Sequence, residues 1–149
     1  MTEHWLCSKE EARILWYTSW MSAPAFFAQY FYYSQTDIAL ITFFVLFTSL
    51  TYWRKPTYGC RRNMDMTCVF FGLFHNMYCA HGAEMATYYY FFTALGIKAY
   101  ILSWYMYKRG HLKVSTYMHS LVHICANIAN TCLAAGYLTT TPIVHLLLK

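Results

Sequence analysis

The sequence predicts an all-α membrane protein, a bundle of about five transmembrane helices with its N-terminus on the cytoplasmic side. Three observations predict it. The chain has 149 residues, of which 58% are hydrophobic and only 11% charged. A soluble domain carries about 25% charge, and one of this size buries too little of its chain to hide so much apolar surface. Aromatic residues reach 21% and gather where apolar runs end, as at Trp16-Tyr17, Tyr30 to Tyr33, Tyr52-Trp53 and Trp104 to Tyr107. Amphipathic rings anchor at that depth in a bilayer. The basic residues sit in short loops between the runs, where they set topology.

A first span is expected over 14–33, with a kink at Pro24. Ser34-Gln35-Thr36-Asp37 is a polar turn from which Thr36 or Asp37 caps a second span over 38–53. Residues 54–64 form the longest polar loop, with Pro56 and Gly59 as turn residues. A third span covers 66–80, capped by Asp65, and His81-Gly82-Ala83-Glu84 turns the chain into a fourth over 86–107. Ser115 or Thr116 caps a fifth span over 115–137. The tail, 138–149, is too short to cross and is expected to lie on the bilayer surface or against a neighbour. No internal repeat interrupts this single polytopic membrane domain.

Five crossings bring Lys9, Arg13, Arg54, Lys55, Arg61, Arg62, Lys108, Arg109 and Lys113 to one side and leave Lys149 on the other. That asymmetry orients the basic side to the cytoplasm. It also accounts for the net charge of +5 without nucleic acid as a partner. Glu3, Lys9, Glu10, Glu11 and Arg13 precede the first apolar run, unlike a signal peptide. The remaining base, Lys98, falls inside the fourth span, where a charge costs on the order of 2.5–3.5 kcal/mol on insertion scales. A partner is expected for it, to which His75 or an aromatic face contributes only part. The six cysteines show no CxxC pair and read as reduced, mostly as small apolar residues.

Polar residues inside the spans are patterned. In "HSLVHICANIAN", His119, His123, Asn127 and Asn130 fall within an arc of roughly 80°, joined by Thr116. On the third span Asp65, Cys68, Gly72, Asn76 and Cys79 share a face, with His75 at its edge. On the second, Thr42, Ser49 and Trp53 do the same. Groups of this kind in hydrocarbon face protein or water, so an internal polar seam containing Asn76, Asn127 and Asn130 is expected. Ser49, Trp53, Asp65, His119 and His123 fall at one cytoplasmic depth. HxxxH is a common metal-ligand spacing on a helix, with Asp65, Cys68 or His75 as a possible third ligand. The same pair also reads as two imidazoles hydrogen-bonded within the seam. Ser49 and Asp65 are the candidate catalytic groups, and their bland readings are a back-bonded helical serine and a helix cap.

A helix-ending Ser49-x-x-x-aromatic, Asp65 after it and HxxxH at His119 and His123 resemble the CREST superfamily. That group includes alkaline ceramidases, haemolysin III-like proteins and progestin/adipoQ receptors. The resemblance implies seven helices, a zinc site near the cytoplasmic face and amide hydrolysis. It spans about half of the chain, with two departures: Trp53 stands where the family pattern has a histidine, and two helices are missing. Two functions follow. The favoured one is a structural or assembly subunit of a larger membrane complex, in contact with lipids and other membrane subunits. The alternative is a reduced CREST-like zinc-dependent hydrolase acting on a lipid amide or ester.

Overall fold

A computed structural model describes residues 6–138, and among them the chain is helical, with no β-strand. The first rod comprises α1 (Lys9–Ser19), α2 (Ser22–Phe27) and a π-helical turn (Ala28–Tyr32). Ser8 starts it with a reciprocal cap: Glu11 N donates to Ser8 Oγ at 3.2 Å and Ser8 N donates to Glu11 Oε2 at 2.9 Å. The kink expected at Pro24 lies at Trp20-Met21. Proline has no N–H for the carbonyl four residues back, so Trp20 O instead accepts from Ala23 N at 3.0 Å and the turn tightens. Beyond it the rod widens, Tyr33 N reaching back five residues to Ala28 O at 3.0 Å.

The other four rods are α3 (Thr36–Trp53), α4 (Cys60–Ala80), α5 (Ala86–Lys108) and α6 (Leu112–Ala135). Three expected caps are corrected. Asp65 lies inside α4, because the helix begins at Cys60 behind Gly59, whose φ of 134° makes the break. Ser115 and Thr116 lie inside α6, which starts at Leu112. Thr36 and Asp37 occupy the first turn of α3, where Asp37 complements the helix dipole without capping it. The tail from 139 onward lies outside the described residues.

α3 pairs with α4, α5 pairs extensively with α6, and the first rod lies against α3 and α6. Gly72 makes the α3–α4 approach possible: a Cβ there would stand 2.7 Å from Ile41 Cγ2. Apolar clusters close the two ends of the interior. Ile38, Cys79, Ala80, Tyr89, Ala129 and Leu133 form one, and Leu15, Tyr52 and Trp53 the other. Between them the interior is polar, with Gln29, Thr42 and Asn76 buried, while Phe44, Phe74, Phe91 and Ile101 are more than half exposed on the outside. Leu6 N donates to Pro56 O at 2.9 Å and Tyr107 Oη donates to Leu6 O at 3.2 Å, so the basic segments gather at one end. Glu84 is at the other, where its carboxylate accepts from Tyr137 N at 3.3 Å. By length and composition, one described helix suffices to cross a membrane: α3, with a mean hydropathy of 1.4.

Candidate functional site

The candidate residues form a seam along the inside of the bundle. At its basic end Ser49 Oγ donates to Asp65 Oδ1 at 2.6 Å, joining α3 to α4. Thr48 Oγ1 lies 3.1 Å from the same oxygen but also 3.0 Å from Phe44 O, and its single proton serves one of them at a time. All three residues are buried. Among the described residues no imidazole is hydrogen-bonded to Ser49 or Asp65, and their contact joins two helices.

One turn along α3, the Trp53 ring meets His119 edge-on, with centroids 5.2 Å apart and planes at 73°. Tyr100 approaches His119 from α5 at 6.1 Å, and His123 follows on α6 at 5.4 Å. The two imidazoles are therefore together, in an aromatic enclosure. Among the described residues no three His, Cys, Asp or Glu side chains come together where a metal ion could be held. The third ligand expected from Asp65, Cys68 or His75 is not assembled. Asp65 is turned to Ser49, and His75, ten residues further along α4, stands roughly 15 Å deeper. A catalytic zinc needs three protein ligands and an open position, and these residues do not fit one.

Deeper in the bundle, Asn76 Nδ2 donates to Asn130 Oδ1 at 2.9 Å, joining α4 to α6. His75 Nδ1 lies 3.1 Å from Asn76 Oδ1, so the Nδ1–H tautomer completes a chain from His75 through Asn76 to Asn130. Asn127 does not reach across; its Nδ2 donates to His123 O of its own helix at 2.8 Å. Ser103 Oγ joins α5 to α6 by donating to Ser115 O at 2.9 Å. Lys98 is exposed on α5, away from this seam, while His75 is buried within it.

Four side chains along the seam have buried polar atoms without a hydrogen-bond partner among the described residues: both amide atoms of Gln29, Thr42 Oγ1, Trp53 Nε1 and His123 Nε2. Gln29 stands on the π-helical turn, fully buried. The sequence reading passed over it because the surrounding FFAQYFYY looks like an interfacial aromatic run. The available signal was the lone amide within a span, which must face inward. Thr48 and Ser103 were passed over for a similar reason: single hydroxyls are common in helices and mark nothing until a partner helix is placed.

No family model, curated protein or solved structure matches this chain. The site therefore rests on its own geometry.

Proposed function

We propose that the chain is a small multi-pass integral membrane protein that serves as a structural or assembly subunit of a larger membrane complex, its helices held in register by the polar seam. One observation carries the reading: the molecule is polar inside and aromatic outside. Ser49 with Asp65, Asn76 with Asn130 and Ser103 with Ser115 meet between helices, while the outward faces of α3, α4 and α5 expose Phe44, Phe74 and Phe91. Lipid makes such an arrangement favourable, since a bilayer rewards large apolar rings outside and polar contacts between helices. Lipids and other membrane subunits are the partners in this reading.

Among the described residues, α3 alone is long and apolar enough to cross a membrane. Helix α5 is rich in tyrosine and tryptophan, which are interfacial residues, and α6 carries the polar residues of the seam. The test is extraction of membranes carrying the protein with alkaline carbonate. Retention in the membrane pellet is the expected result, and release into the supernatant overturns the reading.

The second reading, a hydrolase resembling the CREST superfamily, draws on the 2.6 Å contact between Ser49 and Asp65. The ring of Trp53 against His119 and the missing third ligand weigh against it. Stoichiometric zinc lost on His119→Ala or His123→Ala, together with hydrolysis of a lipid amide or ester, is the result that would reverse this preference.

A further inference from the structure

Lys98 stands near the middle of α5 (Ala86–Lys108), roughly 15 Å from the basic end of that helix at 1.5 Å per residue. The face of α5 that packs on α6 carries Gly96, against Cys125, and Ser103, bonded to Ser115. At 100° per residue, Lys98 points about 145° away from that face. It is exposed, on a stripe with Phe91, Leu95, Ile101 and Leu102, each at least 39% exposed. Among the described residues it makes no ion pair, hydrogen bond or ring contact.

An outward ammonium on a soluble helix needs nothing more than water. On a membrane-spanning helix it needs a counter-charge, because mid-span is too far from the headgroups for one side chain to bridge. Resting on the membrane reading above, we infer that the outward stripe of α5 docks a transmembrane helix of a different subunit, which carries an aspartate or glutamate at mid-span and pairs it with Lys98. Charge complementarity selects this occupant. A second copy does not supply the carboxylate: of the six acidic residues, Glu3 lies outside the described residues and precedes the first apolar run, Glu10, Glu11, Asp37 and Glu84 lie at helix ends or turns, and Asp65 is buried against Ser49. Ala94, one turn before Lys98 on the same stripe, leaves room for a close approach, as small residues do between membrane helices.

The test uses the full chain, fluorescently labelled and reconstituted into phosphatidylcholine vesicles. The probes are a leucine-rich single-span peptide with one central glutamate and its twin with leucine at that place, read by energy transfer. The glutamate probe is expected to associate at least about tenfold more tightly than its twin, the advantage vanishing in Lys98→Leu and persisting in Lys98→Arg. Equal association of the two probes with the wild type overturns the inference, and so does self-association of the wild type that Lys98→Leu abolishes. Release of the protein from the vesicles by alkaline carbonate overturns the membrane reading and this inference with it. Retention without a carboxylate-dependent signal overturns this inference alone.

Discussion

The carboxyl of Asp65 gathers the hydroxyls around it. Its short contact is with Ser49 at 2.6 Å, while Thr48 divides its proton between the carboxylate and its own helix. Leaving a buried acceptor without its donor costs about 1–3 kcal/mol, and losing a bond whose donor is shared costs about 1 or less. Ser49→Ala is therefore expected to lower stability by about 1–3 kcal/mol, and Thr48→Val by about 1 or less, measured by thermal unfolding in detergent. Equal losses would mean that the two hydroxyls serve Asp65 alike.

Gln29 makes the opposite case. Burying an amide without a partner costs about 1–3 kcal/mol in proteins. Gln29→Leu is expected to raise the midpoint of the same unfolding transition. A fall would show that the amide is held by a group bound inside the bundle.

Cys7, at the edge of the Leu15–Tyr52–Trp53 cluster, lies outside the proposed spans. Burial, and after it the Glu11 carboxylate, pushes its thiol from the ordinary 9.0 up to about 11. A rise of that size lowers the thiolate fraction at pH 8 roughly a hundredfold, and the thiolate is the species that reacts. In a chain retaining only Cys7, iodoacetamide should alkylate the folded protein far more slowly than the urea-unfolded one. The sign for stability follows. With the folded value raised, the contribution of Cys7 is fully present below pH 9 and is lost as pH rises toward 11.

Between elements, the determining contacts are the points where two helices come close. Gly72 is one of them, since any side chain there meets Ile41 of α3. Overpacking of this kind costs about 1–3 kcal/mol. Gly72→Val should destabilise by that amount, and the companion change Ile41→Ala should recover part of it. Full additivity of the two substitutions would show that α3 and α4 do not meet at this point. The reciprocal cap at Ser8 and Glu11 fixes where the first rod begins, and Pro24 fixes where it bends. Both signals stand in the sequence as a Ser-x-x-Glu and a proline. The bend falls upstream of the proline because the carbonyl that loses its donor belongs to Trp20.

For the molecule as a whole, the helix order and the gathering of basic segments at one end lead to a topology. The N-terminus, Arg61 and Arg109 are expected on the cytoplasmic side, or its equivalent in an organelle, and Glu84 on the other. Single cysteines placed at positions 61, 84 and 109 and labelled with an impermeant maleimide on intact vesicles provide the measurement. Labelling of positions 61 and 84 from the same side is incompatible with five crossings.

The sequence by itself determined the helical class, the order of the rods and the inward stripes on α3, α4 and α6. These are local properties: apolar periodicity, proline and glycine, and the spacing of polar groups along one helix. It also placed Ser49, Trp53, Asp65, His119 and His123 at one depth, because helical rise converts residue number directly into height. Only the tertiary structure decided which of them meet. Ser49 took Asp65, Trp53 took His119, and Asn76 took Asn130 while Asn127 turned back to its own helix. Equal height leaves open the rotation and lateral placement of each helix, and those depend on small residues such as Gly72 and Gly96 at the points of closest approach. The same freedom let depth alone bring Lys98 to the level of His75, whereas packing on α6 turned the opposite face of α5 inward and left Lys98 outside.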